Sequence, residues 1–354
     1  MDGSDLKNIV FPLLEWYSAH KRSLPWRENK DPYRIWVSEI MLQQTRVDTV
    51  IPYFERFVSE LPDAASLAVC PLPRLQKLWE GLGYYSRVRN MQQAAIQVMD
   101  EFGGELPRTR AQLLTLKGIG DYTAGAIASI AWQEPVPAVD GNVMRVIARL
   151  ICYPQDILKA SAKKEITAML EKVIPPDRPG EFNQSLMELG ALVCVPGHAP
   201  ACGDCPLGSM CEANLQQRQD QYPLRLARTR QTVQHRTILL IQDGGRTALR
   251  KRPVHGLLAG LYEPVNLEGS LSAEQALDWT RQQGLAPLFI ERLPDSRHLF
   301  SHLEWRMSAY RIRVASFETD PPGLIFADRQ EAGGTYAIPS AFQAYRNYYK
   351  EVPS

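Results

Sequence analysis

Two carboxylates and four cysteines carry the chemistry that can be read directly from this chain. Glu39 sits inside an apolar helical run, with Ile35, Trp36, Ile40 and Met41 around it, on a helix that Asp31-Pro32 opens as an N-cap followed by a first-turn proline. A carboxyl buried there is disfavoured as an anion, so its pKa rises, which suits a group that must hold a proton near neutral pH. The alternative is an ordinary ion pair with Arg34 or Arg46 on a solvated face. Asp140 precedes Gly141-Asn142 and the helical run Val143, Val146, Ile147 and Leu150; taken alone, it reads as that helix's N-cap. Cys194, Cys202, Cys205 and Cys211 form Cys-x7-Cys-x2-Cys-x5-Cys, with Pro206 after the third. Four thiolates in one short loop bind either Zn2+ or a [4Fe–4S] cluster. Zinc sites usually present two close pairs, whereas only one Cys-x2-Cys stands here, which favours the cluster.

These residues need elements to position them. Between Leu113/Leu114/Leu116 and Ala124/Ile127/Ala128/Ala131 lies Lys117-Gly118-Ile119-Gly120, a turn joining two helical patterns. Glycines let such a turn aim N–H groups outward at the start of the second helix, where the dipole favours an anion such as a phosphate. An ordinary helix–helix turn is the competing reading. Gln43-Gln44-Thr45 puts three polar side chains at the end of the Glu39 helix, able to read base edges or simply to cap. Upstream, Leu6, Ile9, Val10, Leu13, Leu14 and Tyr17 mark one face of an amphipathic helix that Pro12 kinks or starts. From Leu67 to Met99 the pattern stays helical around Gly81-Leu82-Gly83-Tyr84-Tyr85; Arg74, Lys77, Arg87 and Arg89 along it form a phosphate-facing set or a solvated basic face.

At 354 residues and 45% hydrophobic content, the chain has room for two domains with cores of their own. A net charge of +1 announces no nucleic-acid partner, so any basic surface must be local. No apolar run approaches the ~20 residues of a membrane span and no leader opens the chain, which points to a soluble protein, cytoplasmic and nucleoid-associated, with no membrane partner. Past Cys211 the composition changes. Residues 216–235 form a polar linker with Arg218, Arg225, Arg228 and Arg230, and Arg236 follows it. Residues 237–241 and 247–249 flank Gly244-Gly245 as a hairpin, a helix runs over 272–283, and Leu303, Trp305 and Met307 alternate as a strand, an α+β pattern.

Leu24-Pro25-Trp26-Arg27, the stretch Trp36 to Thr45, Gly81 to Tyr85, Val139 to Val143 and Met187-Glu188-Leu189-Gly190-Ala191, together with the four cysteines, resemble the helix-hairpin-helix DNA glycosylases that carry an iron–sulfur cluster, in particular their adenine-removing, MutY-type branch. The resemblance covers nearly the whole chain. It implies an all-α glycosylase module over 1–215, its [4Fe–4S] loop at 194–211, then the basic linker 216–235 and an α+β Nudix-like domain over 236–354. It also implies a substrate, double-stranded DNA holding adenine opposite 8-oxoguanine or guanine, and a monomeric enzyme. By the same resemblance Glu39 is the general acid and later positions water, Asp140 stabilises the cationic sugar, and Tyr122 and Asn142 support them, a division of labour that N-glycosidic cleavage requires. Arg27, Gln43, Gln44, Thr45, Leu82, Tyr84, Lys117, Gly118 and Gly120 are implied to touch DNA near the extruded base. Phe300, Ser301 and His302 are implied to meet the lesion.

Three departures matter. The sibling branch resembling endonuclease III carries a Lys where this chain has Tyr122; without an amine there is no Schiff base, and base removal without an efficient strand cut follows. The loop Val195 to Ala201 has seven residues and no Lys or Arg, against six and a basic loop in the family, so ligation carries over while phosphate binding by the loop stays open. The clustered Glu residues of Nudix hydrolases are absent after Gly260, so the distal domain is expected to recognise rather than hydrolyse. Two other readings stay open: an endonuclease III-like glycosylase acting on oxidised pyrimidines, and a non-catalytic iron–sulfur DNA sensor. Tyr122 and the second domain speak against the first, and the presence of both carboxylates against the second.

Overall fold

A computed structural model describes residues 5–197, 200–225 and 232–350. The chain divides into two compact units, one comprising Met1–Val69 and Arg89–Arg228, the other Cys70–Val88 and Thr229–Ser354. The segment Cys70–Val88, inside the expected 1–215 module, therefore groups with the C-terminal sheet. Of the linker arginines, Arg228 and Arg230 lie outside the described residues, as do His198 and Ala199 of the cysteine loop.

The first unit is helical. Its helices are α1 (Val10–His20), α2 (Pro32–Leu42), α3 (Val47–Glu60), α4 (Ala64–Val69) and, past α5 (Leu72–Leu78) of the other unit, most of α6 (Ser86–Phe102). It continues with α7 (Arg110–Leu113), α8 (Asp121–Trp132), α9 (Gly141–Leu150), α10 (Ala160–Glu171), α11 (Pro179–Leu192) and α12 (Glu212–Leu215). Pro12 falls in the first turn of α1, where its missing N–H has no helical partner to lose, so it starts the helix rather than kinking it. Asp31 caps α2 by accepting from Tyr33 N at 2.8 Å, with Pro32 in the first turn. Helix α8 packs on α2 and α11, and α11 packs on α1 and α9. One core joins the two ends of this unit: Leu6, Ile9 and Leu13 interleave with Val143 and Ile147 of α9, Ile166 and Leu170 of α10, and Phe182 and Leu186 of α11. Cys194, Cys205 and Cys211 pack against that same core.

The second unit is a six-stranded mixed sheet in the order β4-β5-β1-β3-β2-β6, with strands β1 (Thr232–Asp243), β2 (Arg246–Lys251), β3 (Tyr262–Glu268), β4 (Pro287–Leu299), β5 (Leu303–Val314) and β6 (Ile325–Ala327). The expected hairpin is present: Gln242 pairs Thr247 and Asp243 pairs Arg246 across Gly244-Gly245. β1 also runs parallel to β5, Thr232 opposite Leu303 through Gln242 opposite Arg313. Strand β1 is buried on both faces, Ile238 and Leu240 toward a cluster with Phe342 and Ala332, Leu239 and Ile241 toward one with Ala276 of α13 (Ala273–Gln282). That two-sided burial is why its sequence is a continuous apolar run rather than an alternation. Ser272 closes a capping box with Gln275 at the start of α13, and Asp328 does the same with Glu331 for α14 (Arg329–Gly334). No helix among the described residues is long and apolar enough to cross a membrane.

Candidate active site

A cleft of about 810 Å3 opens in the helical unit, and ten of the sequence-selected residues line it: Arg27, Glu39, Gln43, Gln44, Thr45, Gly118, Gly120, Tyr122, Asp140 and Asn142. Glu39, from the middle of α2, is almost fully buried, and its Oε2 accepts a 2.5 Å hydrogen bond from the Tyr122 hydroxyl on α8. Neither Arg34 nor Arg46 takes it as an ion-pair partner: Arg34 donates to Pro25 O and lies 3.9 Å from Glu28. Burial pushes the Glu39 carboxyl up to about 7, and the nearby Asp140 adds to the rise, against the Tyr122 hydrogen bond and the charge of Arg27. Tyr122 is held well above its usual range by burial and by the two carboxylates, so it stays a hydroxyl donor.

Asp140 is the N-cap of α9 and a cleft residue at once. Its Oδ1 accepts from Val143 N at 2.8 Å, the cap its sequence context announced, while Oδ2 accepts from Asn142 Nδ2 at 2.9 Å. Burial raises its pKa, and these donors with the charge of Arg145 work against that rise. Two buried carboxyls this close cannot both ionise cheaply. Asp140 has several donors shaped for an anion and Glu39 has one, so the proton belongs on Glu39.

The close approach of α11 to this site depends on Gly190, where a Cβ would stand 2.6 Å from Asn142 Cβ. Gly118 is a second forced position, with φ +78° and Asn90 Cβ only 2.6 Å from where a side chain would begin. Gly120 is different: its backbone is extended, as the N-cap of α8, and its Cβ would meet open space, so the turn itself does not demand glycine there. Lys117 is exposed beside the turn and does not line the cleft.

Sequence reasoning passed over the frame behind these groups. Glu188 of α11, buried, takes Arg22 through Nε and Nη2 at 2.8 and 3.0 Å and Arg27 through Nη2 at 2.8 Å. Burial alone would push Glu188 up, but the two guanidinium groups overrule it and hold the carboxyl at about 2. Arg145 donates to Asn142 Oδ1 (2.8 Å), to Gly190 O (2.7 Å) and to Cys194 O (2.8 Å). Arg149, one turn on, reaches Val195 O (2.8 Å), Gly197 O (3.0 Å), Tyr222 O (2.9 Å) and Cys194 Sγ (3.4 Å). The available signal was the one that flagged Glu39, charged residues within apolar helical runs: Arg145 and Arg149 interrupt α9, and Glu188 interrupts α11.

All four cysteines line one small apolar cavity together with Val146, Leu150, Leu189 and Leu207. No set of three or more Cys, His, Asp or Glu side chains among the described residues is arranged to hold a single metal ion. Four thiols lining one apolar cavity are a donor set with the chemistry to hold an iron–sulfur cluster. Burial pushes Cys202, Cys205 and Cys211 up, Cys205 to about 12, so a bound cationic group is what would hold them as thiolates.

The remaining selected residues lie in the second unit. Leu82 is buried, while Tyr84 is half exposed at φ +46° and its hydroxyl lies 2.8 Å from Ser301 Oγ. Phe300 N donates to Leu303 O at 2.7 Å, so residues 300–303 are the tight turn between β4 and β5 that leaves Ser301 and His302 exposed. The Phe300 ring packs edge-on against Trp305 at 5.0 Å and His298 at 4.6 Å, half-way into the core. Two members of the expected phosphate-facing set are engaged internally. Arg87 is buried and donates to Leu82 O and Gly83 O, fixing the 81–85 loop, and Lys77 pairs with Glu80 and with Tyr336 O.

Residues 37–176 match the family model of the HhH-GPD superfamily of base excision DNA repair proteins, and residues 236–347 match that of the NUDIX domain. Adenine DNA glycosylases align along most of the chain: that of Mus musculus is 34% identical over 98% of this chain and 79% of its own length, and that of Homo sapiens 33% over 94% and 73%. The enzyme of Buchnera aphidicola subsp. Baizongia pistaciae is 33% identical over 84% of each. The chain belongs to the adenine DNA glycosylase family. It is therefore a monofunctional DNA glycosylase that hydrolyses N-glycosyl bonds. Among solved structures, a thermostable thymine-DNA glycosylase superposes with TM-score 0.54 at 26% identity, covering 61% of this chain and all of that one. An endonuclease III trapped covalently on DNA superposes with TM-score 0.52 at 23% identity over 61% and 99%, a likeness of fold. In the domain that matches the NUDIX model, α13 carries Glu274 and Asp278.

Proposed function

We propose that this glycosylase removes adenine from double-stranded DNA in which it stands opposite 8-oxoguanine or guanine. The observation that carries the proposal is the buried pair in the cleft: Glu39, poised at about 7 and hydrogen-bonded by Tyr122, beside Asp140 held by anion-directed donors. The base is first extruded from the stack, which costs a few kcal/mol and least at a mispair. Glu39 gives its proton to a ring nitrogen of adenine as the C1′–N9 bond breaks and the electron pair leaves with the base. The sugar left behind is oxocarbenium-like, and the Asp140 carboxylate stabilises it electrostatically. Water then adds to C1′, and the Glu39 carboxylate takes up the proton that water releases. Tyr122 keeps Glu39 oriented throughout, and Asn142 does the same for Asp140.

Cys194, Cys202, Cys205 and Cys211 would hold a [4Fe–4S] cluster, whose metal–thiolate bonds tie the 194–211 loop to the core under α9 and α11. Phe300, Ser301 and His302 would meet the 8-oxoguanine, where hydroxyl and imidazole can bond groups that guanine lacks or presents differently. The test is purified protein on duplexes with adenine opposite 8-oxoguanine, guanine or thymine, with and without alkali after the reaction. Alkali-dependent strand scission at the adenine of the first two duplexes is expected; excision of oxidised pyrimidines with adenine left in place would refute the proposal.

A further inference from the structure

Among the described residues, four cationic side chains line the active-site cleft: Arg22, Arg27, Lys159 and Lys163. The two arginines are committed to Glu188. Lys159 and Lys163 are exposed, and neither has an ion pair among the described residues. They stand at the start of α10, Lys163 N donating to Lys159 O, so the two residues lie one turn apart on the same face. The segment that presents them is fixed: the buried Asp156 accepts from Leu158 N at 2.9 Å, and Ile157 N donates to Leu224 O at 3.1 Å. Leu158 also lines the cleft and is 60% exposed, an apolar side chain left in the open beside two free ammonium groups.

A nucleotide whose base enters this cleft brings its flanking phosphates to the rim, because the backbone stays with the duplex. Those phosphates need cations that are not already neutralised. We infer that Lys159 and Lys163 bind the phosphates flanking the extruded nucleotide, with Leu158 against its sugar; this rests on the reading that the cleft receives a base from DNA. They are positioning residues, acting through the substrate backbone while Glu39 and Asp140 act at the glycosidic bond.

The salt dependence of binding tests this. Each phosphate contact contributes a slope of about −0.9 in log K against log salt, so loss of two makes the slope shallower by about 1.8. Between 50 and 200 mM salt the wild type should therefore lose about 12-fold more affinity than Lys159→Ala/Lys163→Ala does. Binding is measured by anisotropy with the full chain on a duplex carrying non-hydrolysable 2′-fluoro-adenosine opposite 8-oxoguanine. Lys159→Arg/Lys163→Arg should restore the slope. Lys164→Ala/Lys172→Ala, which removes the same charge from α10 and its C-cap outside the cleft, should leave it at the wild-type value. An unchanged slope in the first variant, equal shifts in both alanine pairs, or failure of the arginine pair to restore it would each overturn the inference. The same slopes on a duplex with an abasic-site analogue separate it from the adenine reading, because a shift there needs no adenine chemistry.

Discussion

Replacing Glu39 by Gln should abolish excision and, at the same time, stabilise the protein above neutral pH. An unfolded Glu ionises near 4.5, whereas the buried Glu39 holds its proton up to about 7. A folded-state pKa raised above the unfolded value contributes fully below pH 4.5, and that contribution is lost as the pH climbs through 7. The shift of roughly 2.5 units, at ~1.4 kcal/mol each, makes the cost of the folded carboxylate about 3 kcal/mol at pH 8 and less than ~1 kcal/mol at pH 5. A glutamine in its place would carry no charge, and the amide oxygen can still accept from Tyr122, so the variant escapes most of that cost. Urea unfolding of both proteins, followed at pH 5, 6, 7 and 8, should show the variant's advantage growing from under ~1 to about 3 kcal/mol across that range. In parallel, wild-type single-turnover excision should fall above pH 7 as Glu39 loses its proton. A pH-independent difference, or a variant less stable than the wild type at pH 8, would refute the assignment of a raised, buried carboxyl; near wild-type excision by the variant would remove Glu39 from the mechanism.

Asp140→Asn should lose excision yet keep the α9 cap, with stability within ~0.5 kcal/mol of wild type, whereas Asp140→Ala should cost a further ~1 kcal/mol; equal stabilities by denaturant titration would show that the cap is not used. Gly190→Ala should cost about 1–3 kcal/mol and slow excision by displacing Asn142, and a crystal structure with Asn142 unmoved would contradict that account. Protein purified anaerobically should be brown, with about four irons per chain by metal analysis; active, colourless protein with stoichiometric zinc would overturn the cluster. Ser301→Ala/His302→Ala should weaken the preference for adenine opposite 8-oxoguanine over adenine opposite guanine more than it slows excision of bound adenine. An unchanged preference in the folded variant would show that this turn does not read the lesion.

What the sequence determined by itself were the local decisions. The Asp31-Pro32 start of α2, the cap at Asp140 and the Gly244-Gly245 hairpin are set by residues within a few positions of one another, and each is present as read. Glu39 was legible as a candidate buried carboxyl from the apolar residues around it, but a solvated ion pair with Arg34 or Arg46 read equally well, and only the packed structure, which buries it, decided between them. The partners it would find were not legible: Tyr122 is 83 positions away, and only the packing of α2 on α8 brings the hydroxyl to the carboxylate. Strands β3 and β4 escaped notice for a related reason. β4 carries many exposed residues and a register shift between Leu293 and Ser296, which blur the alternation that marks a strand, and its identity comes from pairing with β5. The phosphate role suggested for Arg87 failed because a guanidinium beside glycines looks solvated in sequence, while tertiary packing buries it against the Leu82 and Gly83 carbonyls. Only the tertiary structure could settle which charges are spent and which are free, because an ion pair such as Arg22 with Glu188 spans 166 positions and depends on where α11 docks rather than on any local pattern.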